Sequence, residues 1–220
     1  MTRKTLHVTI VALAAMALAL PALADTFAGR RWSFDADKVD AAPAGFSFGR
    51  TGSGAQGHWV VVADKSAPSG GQALAQLDAD HTDYRFPVAV ADEAVPADVA
   101  LSVKCKPVAG KVDQACGLVL RYQDENNYYL TRANALEGNV NFYYVKDGKR
   151  REVKGARAKV KSGEWHSLAI VAKGDHFVVS WDRKPVVDAR DTTFSTGGKV
   201  GVWTKADSVT HFDDLTVSPP

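Results

Sequence analysis

The chain has 220 residues, with 27 Lys and Arg against 25 Asp and Glu, a formal net charge of +2, and two cysteines. A balance so even leaves no basic excess to displace counterions from phosphates, which excludes a general nucleic-acid binder. Two cysteines are too few for a disulfide-stapled mini-domain, and a chain of this length buries enough surface to fold without a metal.

Residues 1–24 read as a signal peptide. Arg3 and Lys4 give a positive start, Leu6 to Leu20 an apolar run, Pro21 a break, and Ala22-Leu23-Ala24 a small-residue cleavage site. The run is short for a membrane span, which takes about 20 residues. Cleavage would leave Asp25 to Pro220 as a single domain, soluble, monomeric, and secreted or periplasmic. It would also leave 25 basic residues level with 25 acidic ones. The alternative is a retained anchor.

The rest reads as strands divided by turn residues. Trp32-Ser-Phe-Asp, Trp59 to Ala63 and Ala73 to Leu77 come first, with Thr51-Gly-Ser-Gly-Ala-Gln-Gly a flexible loop between them. Asp80 to Asp83 and Asp92 to Pro96 are loops with room for a short helical turn. Val99 to Cys105 and Cys116 to Tyr122 read as two strands joined through Pro107, Gly110 and Asp113. In an exported chain the two cysteines are read as a disulfide, Cys105–Cys116, facing across that hairpin. A reactive thiol pair would want C-x-x-C, and a zinc site would want a nearby His; neither is present.

Tyr128 to Ala133 and Val140 to Val145 follow as strands. On the first, Arg132 and Asn134 share a face by the strand period of two; on the next, Asn139, Asn141 and Tyr143 share one, with Val140, Phe142 and Tyr144 turned into the core. Asp147-Gly148 is a two-residue hairpin signal. Lys146 to Lys161 holds eight Lys or Arg. This is either an edge strand guarded by charge or a patch for an anionic glycan or acidic partner. The C-terminal block, Gly163 to Val217, is a row of short β-branched and aromatic runs, with Gly174-Asp175 as another turn. Strands at roughly ten-residue spacing throughout indicate an all-β, two-sheet antiparallel sandwich.

Trp165-His-Ser-Leu, Val178-Val-Ser-Trp-Asp, Gly198-Lys-Val-Gly-Val-Trp-Thr and Phe212-Asp-Asp-Leu-Thr-Val together resemble the concanavalin A-like lectin/glucanase superfamily. Within it, the pattern is most similar to laminin-G-like jelly rolls and the 3-keto-disaccharide hydrolase domain. Arg121-Tyr-Gln-Asp-Glu-Asn-Asn-Tyr-Tyr-Leu-Thr-Arg-Ala-Asn fits the same pattern. The resemblance spans about Phe27 to Val217 and implies a jelly roll with a sheet groove that relatives use for sugars.

Catalytic motifs are missing. A retaining glucanase of this kind needs paired carboxylates on alternate strand positions. None of Glu93, Glu125, Glu137, Glu152 and Glu164 has an Asp two and a Glu four residues away. There is no Gly-x-Ser-x-Gly elbow and no His-Glu-x-x-His. His166 and His176 flank one hairpin and could face each other. The polar inventory suits sugars instead, offering amide and guanidinium donors and aromatic faces. The expected ligand-binding set is Arg132, Asn134, Asn141, Tyr143, Trp203, Lys205 and Asp207; the competing reading pairs Arg132 with Asp124 or Asp207 and buries Trp203.

The function expected is a non-catalytic glycan-binding or cell-envelope-associated module. The alternatives are a glycoside hydrolase, with His166, Asp124 or Asp207 as base, and a structural or protein-interaction domain. No cofactor is expected unless Asp213 and Asp214 meet Asp35 or Asp37 to hold Ca²⁺ through oxygen ligands, as relatives of this fold often do near the chain ends.

Overall fold

The computed structural model describes residues 27–220. The signal segment read at 1–24 lies outside the described residues. Fifteen strands occur among them: β1 Arg30–Trp32, β2 Phe46–Gly52, β3 Trp59–Ala63, β4 Gln72–Gln76, β5 Arg85–Ala91, β6 Val99–Ala109, β7 Ala115–Asp124, β8 Asn127–Asn134, β9 Asn139–Lys146, β10 Lys149–Arg157, β11 His166–Lys173, β12 His176–Trp181, β13 Lys184–Arg190, β14 Lys199–Trp203 and β15 Val209–Ser218. They pair antiparallel into two sheets. The first runs β13-β12-β11-β6-β15-β4-β3, with β1 also on β15; the second runs β10-β9-β8-β7-β14-β5-β2. The expected all-β jelly-roll sandwich is the fold. The helical turns allowed at 80–83 and 92–96 do not form; the first segment is irregular up to a turn at Asp83, and the second is a bend followed by a β-bridge from Val95 to Gly198.

Local chemistry explains most elements. In β11 the buried residues Leu168, Ile170 and Ala172 alternate with more exposed neighbours, as a half-buried strand requires. Between β9 and β10, Asp147 and Gly148 take φ of 51° and 71°, the left-handed pair of a type I′ hairpin turn. β2 and β5 have no clear sequence signal. β2 ends at Thr51-Gly52, where a loop was expected, because its backbone pairs with β5 from Phe46↔Ala91 to Gly52↔Arg85. The Thr51 hydroxyl also lies 2.7 Å from the Tyr128 phenol.

The sheets pack over one core. Its members include Leu101, Val103, Leu118, Tyr129, Phe142, Leu168, Phe177, Phe212 and Leu215. Tyr129 stacks on Phe142 at 5.4 Å and touches Phe177 at 4.8 Å. Arg121, 2 % exposed, staples the loops at one end of the sandwich. It donates to the carbonyls of Ala97 (3.1 Å), Phe194 (2.6 Å) and Gly174 (2.8 Å).

Cys105 and Cys116 form the expected disulfide, with Cα atoms 6.2 Å apart. Its placement differs from expectation. Cys105 is on β6 of the first sheet and Cys116 on β7 of the second, so the bond crosses the core from sheet to sheet instead of closing a hairpin. The connection between these strands leaves one sheet and enters the other, a choice made by packing and not by the turn residues. His166 and His176 likewise stand apart. β11 and β12 pair Lys173↔His176 and Leu168↔Trp181, which puts the two imidazoles at opposite ends of the hairpin.

Candidate functional site

The second sheet has an outer face that is not plain surface. Phe86, Val88, Tyr128, Leu130, Tyr143, Val145 and Trp203 form a second apolar cluster there. Tyr128 and Tyr143 alternate with Tyr129 and Phe142, which face the main core. The period-of-two assignment of β8 and β9 holds: Arg132, Asn134, Asn141 and Tyr143 project outward, while Val140, Phe142 and the half-buried Tyr144 face inward. Burial pushes the Tyr128 phenol well above its ordinary range.

Two polar networks lie over this face. In the first, Arg132 Nη2 donates to Glu137 Oε2 at 2.7 Å and to the Tyr143 hydroxyl at 2.9 Å. Asn141 Nδ2 donates to the same hydroxyl at 2.9 Å and to Glu152 Oε2 at 2.7 Å. Arg132 also meets Asn139, whose amide donates to Glu137 at 3.0 Å. The Tyr143 oxygen thus accepts two N–H bonds and keeps its own O–H to donate. Arg132 is therefore held by Glu137; neither Asp124 nor Asp207 pairs with it.

The second network is centred on Lys205. Its ammonium lies 2.8 Å from both Asp113 and Asp83, and Asn134 donates to Asp113. Burial works against the Lys205 charge, but the two carboxylates outweigh it and hold the group above its ordinary range. Burial pushes the Asp113 carboxyl up. Asp207 accepts the backbone N–H groups of Lys111 (2.6 Å), Val112 (3.0 Å) and Asp113 (2.9 Å), so it anchors the loop after β6.

All seven expected site residues therefore belong to this face or its rim, but as an under-layer. Arg132, Asn134, Trp203 and Asp207 are at most 2 % exposed. Trp203, expected as a stacking surface, is closed over. The Arg150 guanidinium lies 4.6 Å from the Phe86 ring centre, 4.7 Å from Tyr143 and 5.8 Å from Trp203. The Tyr84 hydroxyl accepts the Arg150 backbone N–H at 2.7 Å and donates to the Gly148 carbonyl at 3.1 Å, tying the β9–β10 hairpin down at that end.

The open part of the face lies toward the sheet edge. Asn139, Asn141, Glu152, Gly155, Ala156 and Arg157 line a cavity of about 240 Å³. Glu152, Gly155 and Arg157 come from β10, the edge strand. Gly155 pairs with Asn141, and a Cβ on it would stand 2.5 Å from the Asn141 Oδ1. Glycine is what leaves that amide uncovered. The edge strand expected within Lys146 to Lys161 is β10, but which of its residues face the site was not visible from the sequence. Its alternation was hidden by a bulge between Glu152 and Lys154, which shifts the register.

The three residues considered as a catalytic base are committed elsewhere. Asp124 accepts from Asn126 and Asn127 in its own turn, Asp207 accepts three backbone N–H groups, and both ring nitrogens of His166 are engaged, Nδ1 2.9 Å from Asp182 and Nε2 3.2 Å from the Lys161 backbone. The acidic residues weighed for Ca²⁺ do gather. Ser69 Oγ reaches Asp213 at 3.1 Å and Asp214 at 3.0 Å, with Asp35 at 3.4 Å. Asp213 is filled by the backbone N–H groups of Ser69 and Asp214, and Asp214 is paired with Arg31. Protein donors thus hold Asp213 and one oxygen of Asp214, while Asp35 Oδ1 is buried with no protein donor. Among the described residues no group of three or more His, Cys, Asp or Glu is arranged to hold a metal.

No protein-family model matches the chain, and no curated protein matches it in sequence. Solved structures do match. Carbohydrate binding module CBM66 from Bacillus subtilis superposes with a TM-score of 0.62 at 21% identity, over 79% of this chain and 95% of that one. The exoplasmic/lumenal domain of VIP36, in its Ca²⁺/Man3GlcNAc-bound form, gives 0.57 at 12% identity over 80% and 84%. Domain 4 of AbnA, a GH43 extracellular arabinanase from Geobacillus stearothermophilus, in complex with arabinotriose, gives 0.54 at 12% identity over 86% and 90%. The chain thus shares with these structures a two-sheet antiparallel jelly-roll fold.

Proposed function

We propose that this chain is an exported, non-catalytic glycan-binding module. Its binding surface is the outer face of the second sheet at the β9–β10 edge. The observation that carries the reading is the hydrogen-bonded row Glu137–Arg132–Tyr143–Asn141–Glu152 beneath an open cavity of about 240 Å³. A sugar presents hydroxyls that both donate and accept. At the cavity the Glu152 carboxylate and the Asn141 Oδ1 offer acceptors, pre-ordered by the bonds to Tyr143, Arg132 and Glu137 beneath them. Arg157 at the rim adds exposed donors. The neighbours in fold support the reading, since one is named a carbohydrate binding module and two hold a glycan. The leader-like start at 1–24 and the disulfide support a secreted or periplasmic location.

The test is a glycan array spanning neutral and acidic oligosaccharides, followed by calorimetry on the strongest hit with Asn141→Ala and Glu152→Gln. Each substitution should weaken binding at least tenfold. Glu152 is exposed, so its variant should melt with the parent. Absence of any glycan hit, or a hit indifferent to both substitutions, overturns the reading.

A further inference from the structure

The first sheet carries a second cavity, of about 440 Å³, far from the polar row in the fold. Pro68, Lys104, Trp165, His166, Asp182 and Arg183 are among its lining residues, with Glu164 and Ser167. Lys104 stands on the outward parity of β6, opposite Ser167 of β11 and Asp213 of β15. Arg183 sits in the β12–β13 turn, where Asp182 and Arg183 take φ of 47° and 68° and fix the turn. Trp165 precedes β11. Its indole N–H donates to Ser66 at 3.0 Å, and the Lys106 ammonium lies 5.1 Å from the ring centre, so the ring orientation is held from two sides.

The charges here are unequally satisfied. Asp182 is engaged by the His166 ring at 2.9 Å and by the Ser167 N–H at 3.0 Å. Glu164 is paired with Lys161 at 2.8 Å. Asp213, across from Lys104, is turned into the Ser69 N–H at 2.9 Å. Among the described residues, neither the Lys104 ammonium nor the Arg183 guanidinium has an ion-pair partner. Both Asp182 oxygens and Glu164 thus already have partners, while the two cations have none. An anion completes such a site, and a guanidinium suits a planar carboxylate through paired N–H donors. The partly exposed Trp165 gives the remaining wall an aromatic face, the surface to which sugar C–H groups stack. Cavities of this size hold small organic ligands.

We infer that this cavity is a second binding site, for a carboxylate-bearing sugar, with Lys104 and Arg183 holding the carboxylate and Trp165 packing on the ring. The site is independent of the polar row on the opposite sheet.

Digalacturonate is the probe, with neutral digalactose and inorganic sulfate as controls, read by calorimetry and by the Trp165 indole resonance. Digalacturonate should bind and shift that resonance, with affinity falling as salt rises. The Lys104→Gln/Arg183→Gln variant and Trp165→Ala should each lose at least tenfold, and Asn141→Ala should lose nothing at this site. Arg183 is exposed and Lys104 only partly covered, so Arg183→Gln alone serves as the milder variant if the double one melts early. Three results overturn the inference: no binding of digalacturonate, equal binding by the double variant, or sulfate matching digalacturonate, which would leave an anion site with no sugar specificity. Digalacturonate behaving as described, with no array glycan whose binding responds to Asn141→Ala or Glu152→Gln, would remove the first site and leave this one standing.

Discussion

Reducing the Cys105–Cys116 bond is the sharpest probe of how the sandwich is held. The cysteines are 11 positions apart, and both are fully buried between the sheets. Cross-linking a loop of that length restricts the unfolded chain by about 3 kcal/mol in the chain-entropy account. For a domain of this size, one kcal/mol moves the melting midpoint by about 2–4 °C, so complete reduction should lower Tm by about 6–12 °C. Reduction leaves both sulfur atoms in place, so it removes the cross-link without opening a cavity. The Cys105→Ala/Cys116→Ala variant adds that packing loss and should melt lower still. The assay is a thermal scan of oxidised and fully reduced protein, with thiols counted before and after. Because the bond is buried, reduction should also need partial unfolding and run slowly in native buffer. A fully reduced protein that melts within about 2 °C of the oxidised one would refute the reasoning, as would two titratable thiols in protein purified without reductant.

Other outcomes follow from single residues. Trp203→Ala should destabilise by about 3–5 kcal/mol in urea titration, because the ring is fully buried beneath Phe86 and Arg150; a loss of glycan affinity without loss of stability would return Trp203 to the ligand surface. Gly155→Ala should cut glycan binding at least tenfold while changing stability by no more than about 1 kcal/mol, because the new Cβ meets the Asn141 amide on an exposed edge strand. Arg85→Met should cost several kcal/mol in the same titration. Its buried guanidinium donates to the Ala55 carbonyl at 2.7 Å and to Asp78 at 2.7 Å, and its loss leaves Asp78 without the cation.

Stability should also fall in acid, in two windows. Burial alone would raise the Asp64 carboxyl, but hydrogen bonds from Lys106, Ser66 and His211 outweigh it and hold it well below the carboxylate range. Its folded form therefore binds its proton less readily than the unfolded chain. The stabilisation is present above the ordinary Asp value of about 4 and is lost as pH falls through the lower folded value. Burial lowers the His211 imidazole first, with Lys106 adding to it and Asp64 opposing. The unfolded chain then takes up the His proton earlier, so stability drops as pH falls below about 6.5. Asp64→Asn should flatten the lower window in urea midpoints measured against pH; an unchanged profile would remove this assignment.

Much of this architecture was legible in the residues because strand alternation is local. Arg132, Asn134, Asn141 and Tyr143 could be placed on one face by counting in twos, and the backbone keeps that count wherever the strand goes. The Asp147-Gly148 turn was equally plain, since few residue pairs accept its backbone angles. β2 and β5 were harder. β5 is buried on both faces, so alternation says nothing, and β2 exists through its pairing with β5.

What the chain could not state locally is which sheet each strand joins and what then covers it. Cys105 and Cys116 looked like hairpin neighbours, yet the turn between them carries the chain across the sandwich. Trp203 looked like a sugar platform until Arg150, from a strand distant in sequence, closed over it. The exposed layer of the polar face comes from β10, whose bulge reassigns outward positions and puts Gly155 against Asn141. The cavity of Lys104, Trp165 and Arg183 gathers β6, the segment before β11 and the β12–β13 turn. The sequence by itself determined an all-β chain with a paired cysteine and a polar face on β8 and β9. Only the tertiary structure decided how deep each of those residues lies, because burial belongs to neighbours brought together by long-range pairing.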